Sequence, residues 1–487
     1  MALKVWRPMR PKPLMPIFTG IGGTSSQRWW GLPLHVTPPW GRGRGARSTP
    51  LTRSCCLDTL CSDQSGLEVD KAVSAARERK NMALLSGIRV IDISTGAAGP
   101  FTARILGDYG AEVIKVEPPF LGDICRHWGP FPGNVPDMET SPTHLFVNAN
   151  KKGITLNLAT RTGRELLLRL VAKSHVLVES YPPGSLEEMG LGPDVLWGLN
   201  PRLIITSVTP FGQSGPYSRF RASHLVLAAM GGHVYMLGEP TRPPLHIGNE
   251  AFYFVAGMVG AAGTMMALYE TDQRGVGRRV DVSIMETVTS CLVTPTVIWS
   301  YQTKLASVPL PPVIPGTVRS GRPFVGEFRC KDGYIGVYLL TFKHWQSMCR
   351  LTGHEELLDD PQLLALDVRW RRRQEFYELF APWFVDRTRE EVFRIGLEER
   401  IPMAMLHTPE DVLNFEPLLA VQLFRRLDHP RAGVVEKFPG APFQFEGHPW
   451  DLRLPAPLLG QHNQEVLGGE LGLDGEALAL LRRGGVI

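Results

Sequence analysis

His224 and the turn over residues 95–100 are the places where residue types alone suggest chemistry. The imidazole of His224 has an ordinary pKa near neutral pH, so it could carry a proton to or from a substrate. A single histidine at the start of an apolar helix is more often a capping or core residue. The turn reads TGAAGP, and its small residues favour close approach of a ligand to the backbone. Because it lacks the GxGxxG spacing, the pattern does not by itself indicate a phosphate loop.

This turn is predicted to lie inside a βαβ unit. Residues 88–93 and 112–117 are β-rich apolar runs, and residues 101–110 have the spacing of a helix that ends at Gly110. Strand, helix and strand in this order imply a parallel sheet with helices on its faces. Since such sheets bind ligands at the carboxyl ends of their strands, a ligand is expected at the turn.

Strands and helices continue to alternate up to about residue 210, which predicts a Rossmann-like domain. A later apolar helix carries Gly257, Gly260 and Gly263 on one face, a pattern typical of close helix packing. Residues 323–340 predict a β-hairpin in a second, smaller domain, with its turn at residues 331–333. The other predicted elements are strands over 175–179 and 202–208 and helices over 162–174, 225–232 and 251–269.

Composition limits the class of protein. The chain has 487 residues, a formal net charge of +4 and seven cysteines. Its length suits two or three domains, and no basic stripe in the body of the chain indicates nucleic acid. An odd number of cysteines, without histidines at ligand spacing, favours reduced thiols over a disulfide framework. We find no apolar run that reaches membrane-spanning length.

Residues 1–81 form a basic extension that is rich in Pro, Gly, Arg and Trp and is predicted to be disordered. Residues 1–57 contain nine Lys or Arg and no Asp or Glu. This composition fits a transit peptide of a mitochondrial protein. Alternatively, translation begins at Met82, directly before the first strand, and the protein is cytoplasmic, which is the primary expectation.

Eleven motifs occur in an order and spacing that resemble the family III CoA-transferases (CaiB/BaiF), which also include α-methylacyl-CoA racemase. Each motif is unspecific alone, but together they extend from about residue 85 to the C-terminus. They are GIRVIDIS, AAGPF, LGDYGAEVIKVE, NKKGITLNL, ESYPPGSLEEMGLG, NPRLI, SVTPFGQSGPY, GVGRRVDVSIME, CKDGYIGV, FPGAPFQFEG and PAPLLGQHNQEVL.

The resemblance implies an α/β fold with two domains. A Rossmann-like large domain with a parallel sheet would comprise residues 86–290 and 411–487, and a small α/β domain would comprise residues 323–410 after a linker over 291–322. Two chains would interlock, as a homodimer or as a heteromer with a paralogous subunit. Coenzyme A and acyl-CoA would be substrates rather than bound cofactors, with a small organic acid as the second substrate. No metal, nucleic acid or membrane is expected.

The resemblance also maps a CoA site onto this chain, formed by the small-residue turn and the loops near NKKGITLNL and ESYPPG. Arg126, Lys151 and Lys152 are candidates for contacts with the CoA phosphates, although the two lysines equally suit a solvated surface. Family members often have basic residues where this chain has Pro118 and Glu188, and a negative charge would weaken phosphate binding. The mapped residues are Ala97, Ala98, Leu156, Asn157, Leu158, Ser180, Tyr181, Pro182 and Arg221.

In the family, an aspartate attacks the thioester carbonyl, which forms a mixed anhydride and releases the CoA thiolate. Counted back without gaps from GVGRRVDV, that aspartate falls at Tyr253, and no Asp occurs between Thr209 and Glu270. Glu250 could substitute if its loop shifts register; otherwise it is a solvated loop residue. His224 stands where another Asp is often found. The catalytic candidates are therefore Tyr253, Glu250 and His224.

Three functions remain open at this stage. The first is transfer of CoA between an acyl-CoA and a small carboxylic acid through an unconventional group. The second is a catalytically degenerate subunit that supports an Asp-bearing paralogue in a heteromer. The third is a CoA-ester racemase. Glu286 sits where racemases pair a Glu with a His, but that His position is Ser223 here, with His224 one residue later.

Overall fold

The described part of the chain, in a computed structural model, comprises residues 83–237, 243–292, 296–297, 326–339, 341–446 and 450–487. The predicted extension over residues 1–81 lies outside this part. Most of the predicted linker over residues 291–322 lies outside it as well.

The main sheet contains six strands: β1 (Arg89–Asp92), β2 (Glu112–Glu117), β3 (Lys151–Thr155), β4 (Val176–Glu179), β5 (Ile204–Thr209) and β6 (Arg279–Ser283). All six are parallel, and their order is β3-β2-β1-β4-β5-β6. They are rich in valine and isoleucine, which pack well on a sheet that is covered on both faces. The strand order reverses between β1 and β4, and ligands bind at this point in open sheets of this kind.

Helices cover both faces of the sheet. They are α1 (Ala98–Asp108), α2 (Pro142–Val147), α3 (Arg161–Val171), α4 (Ser185–Glu188), α5 (Pro193–Leu199), α6 (His224–Met230), α7 (Ala251–Arg274) and α8 (Ile284–Ser290). Ile91 and Leu177 point to one face and join the leucines of α3 and α5 in an apolar core. Val90 and Val176 point to the other face and join residues of α1 and α7.

The predicted α/β class and its first βαβ unit are confirmed, with β2 at the predicted bounds. The first helix begins earlier than predicted, at Ala98 rather than Phe101, so that Pro100 lies in its first turn. Proline is tolerated there because the first amide groups of a helix have no partner inside the helix. The other predicted strands and helices of this domain are also present, with ends shifted by a few residues.

Close packing between α7 and α1 depends on two glycines of α7. A Cβ atom at Gly257 would lie 2.8 Å from the carbonyl oxygen of Ala98, and one at Gly260 would lie 2.5 Å from Thr102 Oγ1. Thr102 Oγ1 in turn donates a hydrogen bond to the Gly257 carbonyl at 3.0 Å. The prediction that this glycine face packs closely is therefore confirmed.

Helix α7 also has the length and composition of a membrane span. It contains 24 residues, and its most apolar window has a mean hydropathy of 1.6. The expectation that no apolar run reaches this length is therefore wrong. The same composition is found in helices of a protein core, and 39% of this window is buried in the protein because α7 packs along α1 and β5.

A second sheet contains the antiparallel strands β7 (Glu327–Cys330), β8 (Gly333–Val337) and β9 (Met403–Met405). β7 and β8 form the predicted hairpin, which turns at Lys331 and Asp332. Trp345, Phe376 and Phe380 are fully buried in the core beside this sheet. The longer helices of this region are α9 (Phe342–Thr352), α10 (Leu366–Arg371), α11 (Arg373–Val385) and α12 (Arg389–Glu398).

The C-terminal residues return to the edge of the main sheet. The Gly153 amide donates to His462 Nδ1, and the Thr155 amide donates to Asn463 Oδ1, both at 2.9 Å. These bonds occupy the outer edge of β3. The elements after β9 are α13 (Pro409–Asn414), α14 (Glu416–Ala420), β10 (Phe424–His429), β11 (Gly433–Pro439), a π-helical segment (Gln464–Glu470) and α15 (Gly475–Arg483).

A buried network of charges lies under the turn between β1 and α1. Lys115 Nζ is 2.7 Å from Asp123 Oδ2 and also donates to the Ser94 carbonyl. Lys151 Nζ is 2.8 Å from Asp92 Oδ2. All four charged side chains are buried, so each depends on its partners for its charge. Burial alone would raise the pKa of Asp123, but Lys115 and backbone amides lower it to about 2.

We expect Gly257→Ala to destabilise the protein by about 1–3 kcal/mol, because the added methyl group overlaps the backbone of α1. Gly198→Ala is the matched control: Gly198 lies in α5, and a Cβ atom there meets nothing within 4 Å. The control should gain about 0.5 kcal/mol from helix propensity. Urea unfolding of both variants measures the difference, and equal stabilities would contradict the close packing.

We expect the stabilising effect of Asp123 to disappear in acid. Its pKa is about 2 in the folded protein, against an ordinary 3.8. The charged form is therefore favoured by folding, with a contribution of roughly 2 kcal/mol that is complete above pH 4 and lost as the pH falls towards 2. The gap in unfolding free energy between the wild type and Asp123→Asn should narrow over this range.

Urea unfolding between pH 2 and pH 7 measures this gap. Asp272→Asn, which changes an exposed aspartate of α7, is the control and should have an unfolding free energy close to that of the wild type at pH 7. A gap between the wild type and Asp123→Asn that stays constant from pH 7 to pH 2 would show that Asp123 is not held by the network.

Candidate active site

The backbone of the turn between β1 and α1 is fixed by side chains from two other loops. Asp123 Oδ1 accepts hydrogen bonds from the Gly96 amide at 2.8 Å and from Thr95 Oγ1 at 2.9 Å. Ser180 Oγ accepts one from the Thr95 amide at 2.9 Å. The turn is therefore joined to the loops after β2 and β4, which lie on either side of the point where the strand order reverses.

Small residues are required in this turn. Gly96 has a φ of +84°, which side-chain-bearing residues rarely adopt, and a Cβ atom at Gly99 would lie 2.5 Å from Ser94 Oγ. Helix α1 then begins without a side-chain cap and without an acidic residue in its first turn. Its first amide groups and its dipole favour an anion or a developing negative charge at this end of the helix.

A cavity of about 440 Å³ opens on one side of the turn. Thr95 and Asp123 line its wall beside β1, and residues 156–159 line the wall after β3. Four of the residues mapped to the CoA site lie on this cavity: Leu156, Asn157, Leu158 and Tyr181. The structure thus brings together residues that are far apart in the sequence, although their predicted contacts with CoA stay a prediction.

Asn157 has a structural role in addition to lining this cavity. Its backbone amide donates to the Val486 carbonyl at 2.8 Å, and its side-chain amide donates to the Gly485 carbonyl at 3.1 Å. It therefore fastens the last residues of the chain to the loop after β3. Sequence inspection gave no signal for this contact, because the residues are more than 300 positions apart.

A second cavity, of about 220 Å³, opens on the other side of the turn. Thr95 lines both cavities, so they lie on either side of the same residue. Three residues mapped to the CoA site, Ala97, Ala98 and Ser180, line the second cavity together with the catalytic candidate Tyr253. Tyr253 stacks on Trp128, with ring centroids 6.5 Å apart. The sequence gave no role to Trp128 or Asp123, although both lie in the loop that carries Arg126.

Tyr253 is half-buried, and its hydroxyl is held in the protonated form. Burial raises the pKa of Tyr253, and the nearby carboxylate of Glu250 raises it further. Deprotonation at neutral pH is therefore disfavoured, and a neutral phenol is a weak nucleophile. The structure places Tyr253 on the wall of the cavity, where a reactive group would be needed, but the side chain itself is poorly suited to attack.

Glu250 lies at the start of α7 and lines neither cavity. Its backbone is left-handed, with a φ of +47°, and that of Asn249 before it is left-handed as well. Such conformations are strained for residues with side chains and often occur near functional sites. A change of register in this loop could relieve the backbone strain. That Glu250 takes the place of the family's aspartate as nucleophile stays a prediction.

His224 links the starts of α6 and α7. Its Nε2 accepts a hydrogen bond from the Phe252 amide at 3.3 Å, so Nδ1 carries the proton and donates to His246 Nε2 at 3.0 Å. Burial, together with His246, lowers the pKa of His224 to about 4. The imidazole is therefore neutral at physiological pH and accepts a hydrogen bond from an amide of α7, whereas the side chain that caps α6 is that of Ser223.

The structure contradicts a phosphate-binding role for Arg126 and Lys151. Arg126 is fully buried and binds Glu117 at 2.7 Å and Glu139 at 2.7 Å. Lys151 is fully buried in the charge network. The sequence does not reveal this pairing, because the acidic partners come from other strands and loops. Lys152 is partly exposed and forms ion pairs at the outer edge of β3.

The remaining mapped residues lie outside the two cavities. Pro182 and Arg221 are exposed, and their roles stay predictions. Arg219 Nη2 lies 3.7 Å from the position that a Cβ atom of Gly184 would take, which puts a cation beside the ESYPPG loop. Glu286, the racemase candidate, is exposed and lines neither cavity.

Comparisons with known proteins agree with this arrangement. The model of CoA-transferase family III matches residues 85–463. A formyl-CoA:oxalate CoA-transferase from Streptomyces avermitilis is 32% identical over 419 residues, which cover 83% of this chain and 99% of that protein. The beta subunit of a succinyl-CoA–L-malate CoA-transferase from Chloroflexus aurantiacus is 31% identical over 411 residues, which cover 83% of this chain and 98% of that subunit.

A solved structure agrees as well. The crystal structure of a CAIB/BAIF family protein from Brucella suis superposes with a TM-score of 0.68 at 25% identity, over 80% of this chain and 99% of that one. The family match extends over most of the chain, and the parallel sheet carries its cavities at the turn where the motifs predicted a site. The chain therefore belongs to CoA-transferase family III.

Proposed function

We propose that this chain works in the transfer of coenzyme A between an acyl-CoA thioester and a small carboxylic acid. The observation that supports this most is a cavity at the uncapped start of α1 that shares Thr95 with a second, larger cavity. A thioester carbonyl at that point would have the helix amides at its oxygen, where negative charge develops during attack. The larger cavity would take part of the CoA moiety, and the smaller one the acyl group.

In this reaction a carboxylate attacks the thioester carbon, a C–O bond forms, and the C–S bond breaks with release of the CoA thiolate. The mixed anhydride keeps the acyl group activated for the next exchange. Tyr253 occupies the position that the resemblance gives to the family's aspartate, and its raised pKa keeps it neutral. The attacking carboxylate therefore comes from Glu250 after a rearrangement of its loop or from a partner subunit.

A second candidate function is that of a supporting subunit in a heteromer, and Tyr253 at the aspartate position favours it. One family member named above is itself a beta subunit. Helix α7 also presents an exposed apolar face that a second chain could cover, formed by Met258, Val259, Met265, Met266 and Tyr269. Interlocked assembly as a homodimer or heteromer and a cytoplasmic or mitochondrial location stay proposals.

We expect Tyr253→Asp to give the isolated chain an acyl-enzyme intermediate. The new carboxylate would stand on the wall of the smaller cavity, so positioning should raise CoA exchange by about 100-fold or more over Tyr253→Asn. Tyr253→Asn is the matched control, because asparagine has the same shape as aspartate but lacks the nucleophilic carboxylate. Intact-protein mass spectrometry with an acyl-CoA panel and a hydroxylamine trap detects the adduct.

Two results would point elsewhere. A wild-type adduct that maps to Glu250 and is absent from Glu250→Gln would assign the nucleophile to the loop before α7. Activity that appears in the wild type only after an Asp-bearing paralogue is added would establish the supporting-subunit function. Failure of every variant to bind any CoA species would contradict the proposed function as a whole.

A further inference from the structure

The wall of the smaller cavity opposite the turn is built from apolar side chains. Val208 comes from the end of β5, Leu227 from α6 and Ile284 from the start of α8. They belong to one apolar cluster, and each is at most 5% exposed. Pro210 and Ala222 complete this wall. This wall of the cavity is therefore part of a hydrophobic core.

Two of the polar side chains on this cavity hold the turn. Thr95 Oγ1 donates to Asp123, and Ser180 Oγ accepts from the Thr95 amide, so both hydroxyls hold the turn. Among the lining residues in the described part of the chain, Tyr253 is the one with an ionisable side chain, and its hydroxyl is held neutral. The polar end of the cavity is therefore the start of α1, where the thioester carbonyl would lie.

We propose that the smaller cavity selects the acyl group of monocarboxylic acids with an apolar tail, and rejects dicarboxylic acids. This inference rests on the proposed function. A second carboxylate at the far end of the acyl group would be placed against Val208, Leu227 and Ile284, and a buried charge without a partner is strongly unfavourable. The named relatives act on oxalate and L-malate, both dicarboxylates, so this chain would differ from them in substrate class.

Size and shape narrow the acyl group further. A cavity of about 150 Å³ lined by apolar side chains can hold benzene, so 220 Å³ suits an acyl group of about four to seven carbon atoms. The stacked rings of Trp128 and Tyr253 form one side of the cavity, and aromatic faces pack well against branched or aromatic tails. Butyryl, isovaleryl and benzoyl groups fit this description.

Binding of CoA thioesters to the full-length protein tests the selection without requiring turnover. Isothermal titration calorimetry measures the affinity of the protein for free CoA, acetyl-CoA, butyryl-CoA and valeryl-CoA. It also measures the affinity for succinyl-CoA and glutaryl-CoA, the dicarboxylic counterparts of the last two. Each methylene group added to the apolar acyl chain should tighten binding about three- to fourfold. Succinyl-CoA, which differs from butyryl-CoA by a carboxylate in place of a methyl group, should bind about 100-fold more weakly or worse.

Ala222→Leu tests whether the acyl group of a bound thioester lies in this cavity. The larger side chain should weaken valeryl-CoA binding about tenfold while acetyl-CoA binding changes little, because only the longer acyl group reaches the wall. Ala229→Leu is the matched control, since Ala229 is an exposed residue of α6 that lines neither cavity. It should leave the affinities for both thioesters as they are.

The outcomes separate the two proposals. Equal affinities for butyryl-CoA and succinyl-CoA, or tighter binding of succinyl-CoA, would overturn the inference and leave the proposed function intact, because CoA recognition would still be present. An equal loss of acetyl-CoA and valeryl-CoA binding in Ala222→Leu would likewise overturn it. If neither free CoA nor any thioester binds, the proposed function and the inference that rests on it both fail.

Discussion

The buried ion pair between Lys115 and Asp123 is the contact on which the site depends. The two charged atoms are 2.7 Å apart and both side chains are buried, so the desolvation of each charge must be offset by its partner and by hydrogen bonds to nearby backbone groups. Lys115 extends from β2, and Asp123 belongs to the loop that follows that strand. Because Asp123 also accepts hydrogen bonds from Thr95 and Gly96, the ion pair fixes the position of the turn before α1 relative to the sheet.

A fixed turn divides the region into two environments. On one side, the charged groups of the network and the loop after β3 border the larger cavity. On the other side, the smaller cavity enters the apolar cluster that contains Leu227 and Ile284. Thr95 lines both cavities, and the start of α1 lines the smaller one. A thioester could therefore lie across the turn, with its polar CoA part and its acyl part in different surroundings.

Packing and chemistry make different demands at Tyr253. Gly257 and Gly260, one and two turns further along α7, let the helix lie directly against α1, and this contact brings Tyr253 to the cavity wall. The stacking of Tyr253 on Trp128 suits a residue that shapes the acyl cavity. The same burial raises the pKa of Tyr253. The environment that suits a residue lining the cavity therefore makes its hydroxyl a poor nucleophile. An aspartate there would require access to water or a cation.

The sequence by itself determined the βαβ unit, the glycine face of α7, the hairpin after residue 326 and the family, because these depend on local periodicity, on turn residues and on ordered motifs. The tertiary structure alone decided the state of each charge. Arg126 and Lys151 are candidates for phosphate binding in the sequence, yet both are buried, because Glu117 and Asp92 pair with them. Neither pairing leaves a periodic signal in the sequence, so only the folded chain distinguishes a structural cation from a binding one.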